Sequence, residues 1–219
     1  TLKRGAVKHF RMNADSTVGI QQAATLTAMT DFAVLPSATL LVVSDPVSLI
    51  SSTTTLQRLS AVPNLVVEAD GTLATLLASA AGLATLSGPV PSLRTRMIEN
   101  ATVAAATAAS AANLPRFAAA PGVTLAVSDT MSAILSMTGP ARAVVGNFEL
   151  NTTATATVAQ ANALAALSGF HLGLAVQLAV QGTMADFATL TPSAGTVTSS
   201  ASVFDTVGRL IGATALPAR

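Results

Sequence analysis

The sequence predicts an α/β repeat fold, a right-handed β/α solenoid of about seven units of roughly 25–31 residues each. Three observations favour it. Short β-branched segments recur along the chain, a polar turn follows each one, and a stretch rich in Ala and Leu follows the turn. A single unit of this kind cannot bury its own apolar face, so several units must stack. We expect strands on one face and small-residue helices on the other.

Two internal alignments reveal the repeat. The segment Thr17–Val43 aligns with Thr102–Val127, and the Ser-Asp pair that follows each segment aligns as well. The residues VTLAVSDTM, which begin at Val123, resemble VQLAVQGTM, which begin at Val176. Repeats of this length are typical of solenoids and related arrays.

Each element has a local physical reason. Brief segments rich in Val and Leu are typical of buried strands, and they lie at 40–43, 64–69, 123–127 and 176–180. Polar turn sites lie at 13–15, 44–46, 70–72, 100–102, 128–130, 151–153 and 182–183. Asp, Asn or Ser after a strand can cap the helix that follows it. Helices are then predicted at 47–52, 73–81, 103–112 and 158–167. A parallel strand–helix–strand connection is right-handed in nearly all known cases.

The chain divides into three predicted regions. These are a basic N-terminal arm at 1–12, the repeat solenoid at 13–195, and a C-terminal cap or atypical last repeat at 196–219. The basic residues of the arm are Lys3, Arg4, Lys8, His9 and Arg11. Such an arm is either a solvated terminus or a contact for an anionic surface, such as lipid or lipopolysaccharide.

Composition excludes several classes of protein. The chain has no Cys, which rules out a disulfide framework and a thiolate metal site. A nucleic-acid binder should show a clustered excess of basic charge, and a net charge of +1 is not such an excess. Mean hydropathy is high, at +0.61, but the longest weakly polar run, 163–180, contains Ser, Gly, His and Gln, and its flanks lack Lys/Arg and Trp/Tyr anchors. We therefore expect no transmembrane span.

The candidate chemistry is sparse, and we expect no enzyme and no cofactor. The two histidines are His9 and His171, and no G-x-S-x-G motif supports a catalytic triad. Phosphate-binding motifs are also missing from the sequence. The acidic residues that a repeat would place at equivalent corners are Asp45, Asp70 and Asp129, and a paired-carboxylate site would also draw on Glu99. They cap helices and turns, or they form a shallow row of calcium ligands, which would need further oxygens.

The turn motifs carry a resemblance. Val127-Ser128-Asp129-Thr130, Val43-Ser44-Asp45-Pro46 and Ala69-Asp70-Gly71-Thr72 resemble the VSDT-type β/α repeat arrays of large bacterial surface and secreted proteins. The resemblance implies an adhesin-like or S-layer-like module that is extracellular or on the bacterial cell surface. The chain lacks the G-G-x-G-x-D nonapeptide of the calcium-binding relatives.

These features together favour a non-enzymatic extracellular structural module that self-associates into a fibre or surface layer. A net charge close to zero leaves little repulsion between copies, and the ends of a solenoid expose strand edges. The expected partner is a second copy in a homo-oligomer or polymer. The alternative is an adhesin-type binding module that contacts glycan or a host surface through its Thr/Ser-rich face.

Overall fold

The fold is α/β, as the sequence predicts, and its paired strands run parallel. The structure is a computed structural model that describes residues 10–12, 14–29, 32–34, 40–50, 64–90, 92–206 and 209. Within these ranges, every strand pair is parallel. A parallel pair needs a crossover connection between its strands, and helices supply most of these crossovers.

Short strands alternate with short helices along the described chain. The strands are β1 Phe10–Met12, β2 Ser16–Val18, β3 Phe32–Val34, β4 Leu41–Pro46, β5 Leu65–Gly71, β6 Leu93–Met97, β7 Ala101–Val103, β8 Ala118–Ala119, β9 Leu125–Asp129, β10 Asn147–Leu150, β11 Ala154–Thr157, β12 His171–Leu172, β13 Leu178–Gly182 and β14 Ser200–Val203. The helices are α1 Ile20–Thr27, α2 Val47–Ile50, α3 Leu73–Ala78, α4 Ala80–Ser87, α5 Ala105–Ala112, α6 Met131–Ser136, α7 Gly139–Ala143, α8 Val158–Ala165, α9 Met184–Phe187 and α10 Pro192–Val197.

The chain forms two compact units. Unit 1 comprises Thr1–Asn100 and Ser110–Val123, and unit 2 comprises Ala101–Ala109 and Thr124–Arg219. Unit 1 contains a five-stranded sheet in the order β2-β4-β5-β6-β8 and the pair β1-β3. Unit 2 contains a four-stranded sheet, β12-β10-β9-β7, and a three-stranded sheet, β11-β13-β14.

One order of elements recurs three times: a strand, a helix, a two- or three-residue strand, and a longer strand. The three instances are β2-α1-β3-β4, β7-α5-β8-β9 and β11-α8-β12-β13. In each instance the first and last strands pair with each other. The aligned segments Thr17–Val43 and Thr102–Val127 cover the first two instances, so the two segments adopt the same order of elements.

Alternation along the strands separates the core from the surface. In unit 1, Leu41, Val43 and Val67 have no more than a trace of exposed surface, whereas Ser44 and Glu68 between the inward positions are partly exposed. In unit 2 the buried strand residues are Leu125, Val127, Phe148, Leu150, Ala156, Leu178 and Val180. Alanines on the helices, such as Ala108 and Ala161, are fully buried. Their small side chains let a helix lie close to the strands beneath it.

The predicted strands are present, but they extend further toward the C-terminus than the apolar runs indicate. The segments predicted at 40–43 and 64–69 are Leu41–Pro46 and Leu65–Gly71, so Asp45 and Asp70 lie inside strands rather than in turns. The parallel ladder continues through these polar positions, with Asp45 opposite Ala69 and Asp70 opposite Arg96. Pairing with neighbouring strands therefore overrides the local turn preference.

Several predictions fall partly on residues outside the described ranges. These include the arm at 1–9, the turn residue Asn13, the end of the first predicted helix at 51–52, and the tail at 210–219. Residues 10–12, which we assigned to the arm, form β1. The predicted C-terminal region contains β14. The division into 1–12, 13–195 and 196–219 stays a prediction.

The run 163–180 is divided among the end of α8, the strand β12 and the start of β13. Among the described residues, no helix combines the length and apolar character that crossing a bilayer requires.

Candidate functional site

Three aspartates join successive strand–helix segments in the same way. Asp45 accepts a hydrogen bond from the backbone N–H of Ile20, the first residue of α1, which lies 25 residues earlier. Asp129 Oδ2 accepts from Ala105 N at 2.9 Å, across 24 residues. Asp205 Oδ2 accepts from Met184 N at 3.2 Å, across 21 residues. Each carboxylate therefore caps the helix of the preceding segment.

The strand register explains this arrangement. Val18 pairs with Val43 and Val103 pairs with Val127, so the residue two places further along each strand lies beside the start of the earlier helix. The first N–H groups of a helix have no partner inside the helix, and a negative charge there is favoured by the helix dipole. A carboxylate at this register position meets both needs.

The sequence-based prediction of a cap for the following helix was therefore wrong for Asp129. The helix that follows it, α6, is capped by the hydroxyl of Thr130, which accepts from Ala133 N at 3.3 Å. Asp129 Oδ1 also accepts from Thr130 N at 2.7 Å. In the VSDT motif the Asp thus holds the earlier helix and the Thr caps the later one.

Glycine occupies the same register position at two other junctions. Gly71 lies beside Val47 at the start of α2, and Gly182 lies beside Val158 at the start of α8. A Cβ atom added at Gly71 would lie 3.3 Å from Val47 Cγ1 and 2.5 Å from Thr75 Oγ1. A Cβ atom added at Gly182 would lie 3.0 Å from Asp186 Cβ and 3.4 Å from Val158 Cγ2. At both junctions glycine therefore lets the strand lie close to the earlier helix and to the helix that follows.

An ion-pair network crosses the outer face of the five-stranded sheet. Arg96 donates from Nε to Asp70 Oδ1 at 2.9 Å and from Nη2 to Asp70 Oδ2 at 2.7 Å. Its Nη1 lies 2.9 Å from Glu68 Oε2. Ser44 Oγ donates to Asp70 Oδ2 at 2.8 Å and accepts from Arg96 Nη2 at 3.0 Å. The network joins β4, β5 and β6.

The electrostatics of this network favour a fixed arrangement of its charged side chains. The hydrogen bond to Asp70 raises the pKa of Arg96, burial opposes that rise, and the charges of Asp70 and Glu68 add to it. The Arg96 side chain is one-third exposed, and each carboxylate is 17% exposed. A bidentate Arg–carboxylate pair is among the strongest polar contacts in proteins. The charges in this cluster face one another across β5 and β6, and the hydroxyl of Ser44 adds a contact from β4.

A histidine lies on the four-stranded sheet of unit 2. His171 Nε2 lies 3.8 Å from Glu149 Oε2, its neighbour on β10, and His171 Nδ1 lies 3.0 Å from Gly169 O. The imidazole is more than half exposed. The contacts orient this side chain at a strand edge.

The outward face of the three-stranded sheet is polar and uncharged. Thr155 pairs with Ala179, which pairs with Ser200. Two residues further along, Thr157 pairs with Gln181, which pairs with Ser202 on the same face. The exposed polar residues of this face are Thr155, Thr157, Gln181, Ser200 and Ser202. The face therefore presents hydroxyl and amide groups to solvent.

Two members of the predicted calcium row, Asp45 and Asp70, lie on the neighbouring strands β4 and β5. Asp45 lies opposite Ala69 and Asp70 lies opposite Pro46, so the two carboxylates are not in register. Asp129 belongs to unit 2, and Glu99 is exposed just after β6. Among the described residues there is no group of three or more metal-ligating side chains. Calcium binding stays a prediction, and His9 lies outside the described residues.

The sequence analysis missed Arg96, Glu68 and Asp205. A usable signal was present for the first two, because R-x-R in β6 lies opposite E-x-D in β5. For Asp205 the signal was Val203-Phe-Asp-Thr206, a further copy of the V-x-D-T pattern.

Comparison with known proteins gives no relative. No protein-family model matches the chain, and no match was found among curated proteins or solved structures.

Proposed function

We propose that this chain is a structural repeat module, wound as a right-handed β/α solenoid, that self-associates into a fibre or surface layer outside a bacterial cell. The observation that carries the proposal is the repeated use of Asp45, Asp129 and Asp205 to cap the helix of the preceding segment. The acidic residues that recur in the sequence therefore link consecutive segments by hydrogen bonds.

The distribution of charge supports the same function. In the Arg96 network the carboxylates and the guanidinium bond to one another. Most other outward strand positions carry Thr, Ser or Ala. Low surface charge permits close approach of copies. The resemblance to VSDT-type surface repeats supports an extracellular location.

Negative-stain electron microscopy of the purified chain, with calcium and with a chelator, tests this proposal. We expect ordered fibres or sheets under both conditions, and sedimentation velocity should detect species larger than the monomer. Dispersed monomers at high protein concentration would refute self-association. Assembly only with calcium would instead support the calcium row.

The outer face of the β11-β13-β14 sheet favours one second candidate, an adhesin-type module that binds glycan. Its exposed Thr155, Thr157, Gln181 and Ser202 form two adjacent rows. Hydroxyl and amide groups at this spacing can hydrogen-bond to a sugar surface. A glycan array distinguishes the two functions, because an adhesin would bind as a monomer and lose binding when Thr157 and Gln181 are replaced by Ala.

A further inference from the structure

We propose that copies of this chain join head to tail, with β14 of one copy pairing in parallel with β1 of the next. This inference rests on the proposed self-association and names the two surfaces that carry it. Within the described residues, β14 pairs with β13 alone and β1 pairs with β3 alone.

The strand β14 is equivalent to two internal strands. Ser199 N donates to Leu178 O at 2.8 Å and Phe204 N donates to Gly182 O at 2.9 Å. The same two bonds flank β10, where Gly146 N donates to Leu125 O and Asn151 N donates to Asp129 O. The strand β5 pairs with β4 as β10 pairs with β9. Ser44 lies opposite Glu68 in the first pair, and Ser128 lies opposite Glu149 in the second. Both β10 and β5 have a further parallel neighbour.

The strand β1 is equivalent to β6. In β1, Arg11 pairs with Ala33 and Met12 with Val34, and in β6, Arg96 pairs with Ala118 and Met97 with Ala119. Both strands thus carry Arg-Met opposite the short strand that follows a helix. The strand β6 has β5 on its other side. The molecule therefore already contains the pair that we propose between copies, in the form of β5–β6.

The β5–β6 pair predicts the register of the contact between β14 of one copy and β1 of the next, which we call the joint. Asp70 pairs with Arg96 in β5–β6, so Phe204 of one copy should lie beside Arg11 of the next. Phe204 is 64% exposed, and Arg11 is also exposed. A guanidinium over an aromatic ring is a favourable contact. Residues 200–203 contain neither charge nor Pro, and charges and Pro are the usual means of blocking edge pairing.

The ends that would meet are different surfaces. A contact between unlike surfaces that does not close into a ring produces an open-ended polymer. The joint thus provides one route to the fibre that we propose above.

Cysteine cross-linking tests the register, because the chain has no Cys of its own. Variants Phe204→Cys and Arg11→Cys are mixed and oxidised gently. Adjacent residues of paired strands are close enough for a disulfide, so we expect a cross-linked heterodimer. The control replaces Phe204→Cys by Thr155→Cys, on the opposite edge of the same sheet, and should give little product with Arg11→Cys.

A matched pair of proline variants tests the edge without cysteine. Phe204 N and Ala154 N both donate toward β13, and N–H groups alternate sides along a strand, so those of Val203 and Thr155 point to the two opposite edges. Val203→Pro should weaken self-association about tenfold or more, whereas Thr155→Pro should leave it unchanged. Circular dichroism of both variants confirms that the fold is retained.

The outcomes distinguish the joint between β14 and β1 from self-association by any other contact. Cross-linking between positions 204 and 11, with loss of assembly in Val203→Pro alone, supports the joint. Assembly that persists in Val203→Pro without that cross-link overturns the joint and leaves self-association standing. A wild-type chain that remains monomeric overturns both.

Discussion

Two equivalent turns differ at their third residue in a way that should affect stability. Val123 N donates to Ala120 O at 2.9 Å, and Val176 N donates to Gly173 O at 3.1 Å. The third residue of each turn is left-handed, with φ of +78° at Gly122 and +61° at Ala175. Glycine adopts this conformation without cost, whereas an L-residue with a Cβ atom does not.

We expect Ala175→Gly to raise the free energy of unfolding by about 0.5–1 kcal/mol, because it removes backbone strain that exceeds the added entropy of the unfolded chain. Urea denaturation measures the change. The reciprocal variant is Gly122→Ala, where an added Cβ would meet no atom within 4 Å. It should lose a similar amount through the backbone alone. If both variants shift stability in the same direction, the strain argument fails.

The cross-segment cap of Asp129 governs the start of α5. Replacing Asp129 by Ala removes the acceptor for Ala105 N and for Thr130 N. Loss of a helix cap costs about 1–2 kcal/mol, so we expect a decrease of that size in the free energy of unfolding. Hydrogen exchange at the Ala105 amide should accelerate.

The variant Asp129→Asn is the control for the cap, since its amide oxygen still accepts one hydrogen bond, whereas the charge and the second acceptor oxygen are lost. It should retain more stability than Asp129→Ala. Equal losses would assign the effect to the charge and the second acceptor together.

The same register allows a cap to be added. Thr152 lies two residues beyond Leu150, which pairs with Asp129, as Asp205 lies two residues beyond Val203, which pairs with Gly182. Thr152 is exposed. Thr152→Asp should therefore reach the start of α6 at Met131 and stabilise the fold by about 0.5 kcal/mol. A variant that is less stable than the parent would contradict the equivalence of these junctions.

Local pattern was sufficient for some elements and insufficient for others. The runs 123–127 and 176–180 predicted β9 and β13 because buried strands need consecutive apolar, β-branched residues. The partner of Asp129 was not predictable in this way, because parallel pairing places it beside a helix 24 residues earlier. The strand β6 has the sequence LRTRM. Its two arginines break the apolar pattern, so the sequence did not predict it as a strand. In the structure Glu68 and Asp70 neutralise its outward face.

At the scale of the whole chain, most stabilising contacts that cross strands are between consecutive segments. The carboxylate caps reach back one segment, and the Gly71 and Gly182 contacts also reach back one segment. Nearest-neighbour contacts of this type make stability approximately a sum over junctions. Among the described residues, β1 and β14 are edge strands with one neighbour each, as are β2, β3, β7, β8, β11 and β12.

Net charge should control how fast copies associate. The chain has a net charge of +1 at pH 7 and a pI near 8.3, so repulsion between copies is weakest close to pH 8. Near pH 4 many carboxylates are protonated while Lys and Arg keep their charge. We therefore expect light scattering to report rapid assembly at pH 8 and slow assembly at pH 4. Added salt should restore assembly at pH 4 by screening. Faster assembly at pH 4 by a folded chain would contradict charge-limited association.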